Sequence, residues 1–235
     1  MTEYKSMSKL AIAIASLLAC GAAQAHYLWI EGADGSAKLY FGEAEALLKE
    51  KSPGKLDNIK GPKAFTVDAG GTRSLASITR TTEHFAIGGS GAAVIVSEES
   101  LDVRDLGKNG LGIAKQNYYA RSGPVRGTAL PLDVQAQGPN TYAVLYRGQP
   151  LKDAKLEVIA PNTWMQEHTT DAQGVVRINT PWRGQYVLHV LHVDKTPGEF
   201  GGKKYDNLRN HFTYTFIKTE GADPGPAVPP AHPME

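Results

Sequence analysis

Hydrophobic and polar positions alternate along most of this chain, in short runs that glycine, proline, asparagine and aspartate interrupt. When every second residue is hydrophobic, one face of the segment points toward a core and the other toward solvent, which is typical of β-strands. In the second half the pattern predicts strands at 142–146, 154–160, 175–178, 185–194 and 211–218. In the first half it predicts them at 26–30, 37–41, 64–67, 75–78, 93–97 and 116–121. Many short strands between turn residues predict an all-β chain built from two β-sandwich domains.

Three segments depart from this alternation. Residues 42–51 combine alanine, leucine, glutamate and lysine and are followed by Ser52-Pro53-Gly54, so they predict a short helix. Residues 195–208 are rich in glycine and predict a loop, and residues from Gly221 onward are rich in proline and predict a disordered tail. The predicted organisation is an N-terminal β-rich domain at 26–135, a β-sandwich at 136–219 and a tail at 220–235, with a linker near 130–140.

The first 25 residues have the three parts of a secretory signal peptide. Lys5 and Lys9 precede an apolar run at 10–19, and Ala23-Gln24-Ala25 provides a small-residue cleavage site. The sequence therefore predicts a periplasmic protein whose mature chain begins at His26. The apolar run is shorter than the ~20 residues of a membrane-spanning helix, so no transmembrane segment is expected in the mature form. Lipidation of Cys20 is the alternative, because Leu17-Leu18-Ala19-Cys20 loosely resembles a lipobox.

Composition excludes several functional classes. The formal net charge is +1, which offers no basic surface for nucleic acid. Cys20 is the single cysteine and precedes the predicted cleavage site, so the mature chain has neither a disulfide nor thiolate chemistry. The sequence has no GxSxG, Walker or HExxH motif. We therefore expect no nucleic-acid partner and no enzymatic activity.

The C-terminal half resembles a known sandwich fold. The residues that carry the resemblance are Gly148-Gln149-Pro150-Leu151, Thr170-Asp171-Ala172-Gln173-Gly174 and Gly184-Gln185-Tyr186-Val187-Leu188. Their order and spacing are similar to those of transthyretin-like, carboxypeptidase-regulatory-like domains. This resemblance implies a fold and is silent about function.

A second resemblance spans most of the mature chain. It is carried by Ala25-His26, Tyr40-Phe41-Gly42-Glu43, the residues 48–57 and the residues 192–206. These segments are similar to a domain-of-unknown-function family of bacterial periplasmic proteins whose members are associated with nickel-uptake transporters. The resemblance implies a transition-metal ion as ligand and a membrane metal transporter as partner, without catalysis.

An N-terminal histidine has metal-binding chemistry of its own. Its α-amine, with an ordinary pKa of ~7.7–8.0, and its imidazole can chelate one ion, which displaces the amine proton near neutral pH. Tetragonal nitrogen sites suit Cu(II) or Ni(II), so a nickel or copper ion is the expected cofactor.

Strand alternation sorts the candidates for further ligands among the seven histidines. His192 shares a face with Asp194 near a strand end, and His211 is expected to be accessible because it lies opposite an aromatic face. His189 falls on an apolar face and is predicted to be a core residue. The predicted metal ligands are therefore His26, His192 and His211.

Three functions follow from these observations. The first is a periplasmic protein that binds nickel, cobalt or copper for metal uptake or handling. The second is an adhesion or scaffold protein in which His26 has no metal role. The third is a copper monooxygenase, a class that also begins with histidine on a β-sandwich but needs a flat aromatic surface. Trp29, Trp164 and Trp182 are instead expected to anchor the core or the domain interface.

Overall fold

The structure is a computed structural model that describes residues 26–32, 35–125, 127 and 129–228 of the 235-residue chain. The predicted signal peptide at 1–25 lies outside the described residues. The strands of the first half are β1 (Tyr27–Glu31), β2 (Ala37–Glu43), β3 (Leu48–Lys49), β4 (Lys63–Val67), β5 (Arg73–Ala76), β6 (Ile78–Arg80), β7 (Phe85–Ile87), β8 (Ala93–Glu98), β9 (Arg104–Asp105) and β10 (Ile113–Ser122). Those of the second half are β11 (Leu132–Gly138), β12 (Thr141–Tyr146), β13 (Gln149–Pro150), β14 (Lys155–Ile159), β15 (Met165–Thr169), β16 (Val175–Arg177), β17 (Gly184–Asp194), β18 (Gly198–Phe200), β19 (Lys203–Tyr205) and β20 (Asn207–Lys218).

The all-β prediction is confirmed. Within the described ranges the helical elements are single 3-10 turns at Lys55–Asn58 and Gly107–Asn109. None of the described helices is long and apolar enough to cross a membrane. The helix predicted at 42–51 is wrong, because β2 extends to Glu43, a turn follows, and β3 pairs back onto β2. The predicted loop at 195–208 contains the hairpin of β18 and β19.

Strands from both halves of the chain form one nine-stranded central sheet. Its order is β15-β14-β17-β20-β10-β8-β4-β5, and β9 pairs with β10. The two halves meet where β10 runs parallel to β20, with Ala114 opposite Asn207 and Ser122 opposite Thr215. The segment predicted as a linker, 130–140, contains β11.

Two smaller sheets cover opposite faces of the central sheet. The N-terminal sheet contains β1, β2, β3, β6 and β7, and the C-terminal sheet contains β11, β12, β13 and β16. Successive residues of β10 point alternately toward them: Tyr118 and Ala120 join the core with the N-terminal sheet, and Tyr119 joins the core with the C-terminal sheet. Each fully buried large apolar side chain contributes about 1.5–3 kcal/mol. The molecule is thus two sandwiches that share one central layer.

Strand β1 lies against the middle of the central sheet. The hydroxyl of Thr213 on β20 donates to the carbonyl of Leu28 over 2.7 Å. Tyr27 and Trp29 form a small core with Ile159 and Val187 of the C-terminal half. Strand β1 therefore lies where the two halves meet, and His26 immediately precedes it.

The beginning of the predicted tail contacts the body of the protein. Ala222 forms a β-bridge with Trp182, and Arg183 pairs with Asp223 over 2.5 Å. The backbone N–H of Val228 donates to the carbonyl of Asn162 over 3.2 Å. Residues 229–235 of the predicted tail lie outside the described residues.

Candidate functional site

The β2–β3 hairpin brings two carboxylates to His26. Tyr27 pairs with Gly42, which places His26 beside Glu43, and the backbone N–H of Glu50 donates to the carbonyl of Phe41 over 2.9 Å. Gly42 makes this approach possible. Its φ is +146°, and a Cβ there would lie 2.1 Å from the carbonyl oxygen of Leu48. Only glycine allows the two strands to come this close.

Each nitrogen of the His26 ring faces a carboxylate. Nδ1 lies 3.1 Å from Oε1 of Glu43, and Nε2 lies 2.5 Å from Oε1 of Glu50. Glu50 is also paired with Nζ of Lys55 over 3.2 Å. The ring packs at 5.3 Å from that of Phe41, which fixes its plane.

The two carboxylates differ in their surroundings. Glu43 is 2% exposed, and its Oε2 atom has no hydrogen-bond partner among the described residues. Burial raises the pKa of Glu43, and the neighbouring His26 offsets part of that rise. Burial also raises the pKa of Glu50, but hydrogen bonds with His26 and Lys55 outweigh it and leave the pKa below its ordinary value. Glu43 is therefore the more deeply buried carboxylate, and one of its two oxygens has no partner among the described residues.

A buried pair of histidines lies below β1. Nδ1 of His189 is 2.6 Å from Oε2 of Glu157, and Nε2 of His189 is 3.3 Å from Nδ1 of His211. If Nδ1–H of neutral His189 donates to Glu157, then Nε2 of His189 accepts a hydrogen bond from Nδ1–H of His211. Nε2 of His211 then carries a lone pair. That Nε2 atom has no hydrogen-bond partner in the described part of the chain. Burial, with the nearby His189 and Arg209, lowers the pKa of His211 well below its ordinary value, so His211 is neutral.

Aromatic rings connect His26 with the histidine pair. The ring of Tyr27 stacks on His189 at 4.2 Å, and that of Tyr118 stacks on His211 at 4.9 Å. The ring of Phe41 contacts those of both Tyr118, at 5.8 Å, and His26, at 5.3 Å. The hydroxyl of Tyr27 donates a hydrogen bond to Glu45 and accepts one from the backbone N–H of Ala44. These two bonds hold the β2–β3 turn against β1.

The predicted ligands do not lie on one side of the central sheet. His192 is opposite Asn210, whereas His211 is opposite Leu191, so the two imidazoles point to opposite faces. The ring of His192 packs at 4.3 Å from that of Tyr146, whose hydroxyl donates to Asp194. The expectation that His211 is accessible is wrong, because its exposed fraction is 0% under β1. The expectation that His189 is a core residue is confirmed by an exposed fraction of 4%.

Sequence reasoning missed Glu43 and Glu50 because it placed both in a helix. A signal was present, since Gly42 followed by a second short apolar segment is also compatible with a hairpin. Among the described residues no group of three or more His, Cys, Asp or Glu side chains is arranged to hold a metal ion.

The tryptophans have different environments. Trp29 is buried at the contact between β1 and the C-terminal half, as expected for an anchor. Trp164 is 50% exposed and meets Trp182 edge to face at 5.3 Å. These two rings are perpendicular, at 88°, and do not form a flat platform.

Comparison with protein families supports a resemblance to a family of unknown function. Residues 128–194 match the model of a family described as a domain of unknown function, DUF4198. The matched segment contains β11 to β17, and so all four strands of the C-terminal sheet and part of the central one. Comparisons with curated proteins and with solved structures gave no match.

Proposed function

We propose that this protein is a periplasmic, non-catalytic protein that binds a nickel, cobalt or copper ion through a mature N-terminal His26 and acts in metal uptake or handling. The observation that carries the proposal is the position of His26 between Glu43 and Glu50. The α-amine, Nδ1 of His26 and Oε1 of Glu43 are the proposed donors.

The distance between two of these donors fits a shared ion. Metal–nitrogen and metal–oxygen bonds are about 2.0–2.1 Å long, so two donors at a right angle around one ion lie about 2.9 Å apart, and two at a tetrahedral angle about 3.3 Å. Nδ1 of His26 and Oε1 of Glu43 are 3.1 Å apart. The α-amine belongs to the same residue as Nδ1 and closes a six-membered chelate ring with the ion through Cα, Cβ and Cγ.

Glu50 has the position of an orienting group. A ligating histidine commonly donates its second N–H to a carboxylate, which selects the tautomer and makes the ligating nitrogen more basic. Glu50 accepts from Nε2, so Nδ1 of His26 presents its lone pair toward Glu43. The hydrogen bond with His26, and after it that with Lys55, keeps the pKa of Glu50 below its ordinary value, which favours the ionised carboxylate.

A divalent ion would also compensate the charge of Glu43. A buried carboxylate with an unpartnered oxygen is costly, and a bound cation supplies the missing partner. Two nitrogen donors with one oxygen donor and no sulfur suit Cu(II) or Ni(II). Glu43 takes the role that the sequence assigned to His192, which points to the other face of the central sheet.

Calorimetric titration with Ni(II) and Cu(II) tests the proposal. We expect the chain that begins at His26 to bind one ion, and His26→Ala to weaken binding by at least about 100-fold. His84→Ala is the matched control, since His84 is also partly buried but packs on Tyr40, and it should bind as the parent does. An absence of stoichiometric binding to the parent would favour the scaffold function instead.

A further inference from the structure

Arg209 is a buried cation on the same face of β20 as His211. It is 9% exposed, and its Nε atom has no hydrogen-bond partner among the described residues. Burial lowers the pKa of Arg209, and the only group that opposes this effect is the hydroxyl of Tyr118. No carboxylate in the described part of the chain therefore compensates its charge.

The other buried lysine and arginine of the described ranges have partners within the protein. Arg121 is paired with Asp133 over 3.3 Å, and Nζ of Lys115 donates to three oxygen atoms at 2.8–3.1 Å. A charge that is taken out of water is costly unless a counter-charge or several hydrogen bonds replace the water. Arg209 lacks this compensation, and a bound anion would supply it.

A second arginine lies on the same face of the central sheet, on the other side of β10. Arg104 on β9 is opposite Ala114 of β10, and Ala114 is opposite Asn207 of β20, two positions before Arg209. Because paired residues share a face, both arginines project from it. With strands about 4.8 Å apart and about 3.3 Å per residue, their Cα atoms are about 12 Å apart, which two extended arginine side chains can bridge. Arg104 is exposed, so this position opens to solvent.

Tyr118 of β10 lies between the two arginines. It is opposite His211, and the two rings stack at 4.9 Å, which fixes the plane of the phenol ring. Burial raises the pKa of Tyr118 to about 12, and the charges of Arg104 and Arg209 both act against this rise. The hydroxyl therefore stays protonated at neutral pH and can donate to an anion that the two guanidinium groups hold.

We propose that Arg209, Arg104 and the hydroxyl of Tyr118 form a binding site for a small oxyanion, the charged group that carboxylates and phosphates share. The guanidinium of Arg209 offers paired N–H donors in one plane, which match two oxygens of such a group. Arg104 supplies a second positive charge at the exposed end of the site. The ring of Phe41 lies between Tyr118, at 5.8 Å, and His26, at 5.3 Å, so the site is separate from the proposed metal donors and does not require that His26 binds a metal.

Calorimetric titration of the metal-free protein that begins at His26 tests this site. Inorganic phosphate and citrate are the two probes, titrated separately at constant ionic strength. The test variants are Arg209→Gln and Arg104→Gln, which remove one charge each and keep a polar side chain. Arg73→Gln is the matched control, because Arg73 is exposed on β5, at an end of the central sheet.

We expect the parent to bind one anion per chain, and both test variants to bind it at least about tenfold more weakly, since each loses a charge-assisted hydrogen bond. Arg73→Gln should bind as the parent does. Binding of either probe supports the site, and the probe that binds more tightly identifies the group that it prefers. No binding of either probe to the parent, or an unchanged affinity in either test variant, would overturn the proposal.

Thermal unfolding separates loss of the site from loss of the fold. Arg209→Gln removes an uncompensated buried charge, so without anion it should unfold at a temperature no lower than that of the parent. A saturating concentration of the anion should raise the Tm of the parent and of Arg73→Gln, but not that of Arg209→Gln. A lower Tm of Arg209→Gln without anion, or an equal rise in its Tm with anion, would also overturn the proposal.

Discussion

Nε2 of His189 lies 3.3 Å from Nδ1 of His211, inside the protein and below β1. This contact joins neighbouring strands of the central sheet, since His189 is on β17 and His211 on β20. It continues a hydrogen-bonded series that starts at the partly exposed Glu157 and ends at the buried Nε2 atom of His211. The burial of His211 and the hydrogen bond between Glu157 and His189 each make the stability of the fold depend on pH.

The first prediction concerns pH. Burial keeps the pKa of His211 well below its ordinary value, so the unfolded chain takes up this proton below about pH 6.5 and the folded chain does not. The contribution of His211 is therefore present above that pH and is lost as the pH falls, by up to about 1.4 kcal/mol per pH unit. Urea unfolding at pH 7.5 to 5.0 should show a smaller decline for His211→Gln than for the parent. Equal declines would contradict this explanation.

The second prediction concerns Glu157. Burial raises the pKa of Glu157, but its hydrogen bond with His189 outweighs it and leaves the pKa below its ordinary value. Its contribution is present above about pH 4.5 and is lost as the pH falls further. Glu157→Gln should lower the free energy of unfolding by about 1–2 kcal/mol at pH 7, with a smaller difference near pH 4. Glu167→Gln on the paired strand, whose carboxylate is 48% exposed beside Lys155, should change it by less than about 1 kcal/mol.

The third prediction concerns the buried ion pair between the central and C-terminal sheets. Arg121 lies 3.3 Å from Asp133, and their side chains are 3% and 1% exposed. Asp133→Asn leaves the guanidinium without its counter-charge and should cost about 3–5 kcal/mol in denaturant unfolding. The control is Asp102→Asn, because Asp102 is 75% exposed and 4.0 Å from Lys203, and it should cost less than about 1 kcal/mol. Similar losses in the two variants would show that the buried pair has no special role.

The fourth prediction concerns Gly42. A Cβ at this position would collide with the carbonyl of Leu48, and no other residue readily adopts its φ. Gly42→Ala should therefore separate β3 from β2 and move Glu50 away from His26. We expect weaker metal binding together with faster amide exchange at Glu50. The control is Gly71→Ala, which also has a positive φ but an unobstructed Cβ, and it should leave metal binding unchanged.

Much of the fold could be predicted from local patterns. The alternation at 185–194 and 211–218 corresponds to β17 and β20, because both strands pack one face on a core and carry their polar residues on the other. The helix predicted at 42–51 was wrong because helix propensity is a weak local preference. Here pairing of β3 with β2 and the backbone of Gly42 determine the structure.

The site depended on contacts that are distant in the sequence. His26 meets Glu50 24 positions away, and His189 meets His211 22 positions away. Alternation correctly separated His189 from His192, but it could not show that β1 crosses the polar face that carries His211. That face was expected to be open because it lies opposite the aromatic face of the strand, but Thr213, on the same face as His211, binds the backbone of Leu28.

The most direct test of metal chelation by the N-terminus compares two proteins that differ by one residue. The first begins at His26, and the second carries one additional alanine before His26, which keeps the imidazole but removes the free α-amine from the chelate ring. Cu(II) and Ni(II) are titrated into both by calorimetry. We predict tight binding of one ion to the first protein and binding at least about 100-fold weaker to the second. Equal affinity in the two proteins would contradict it.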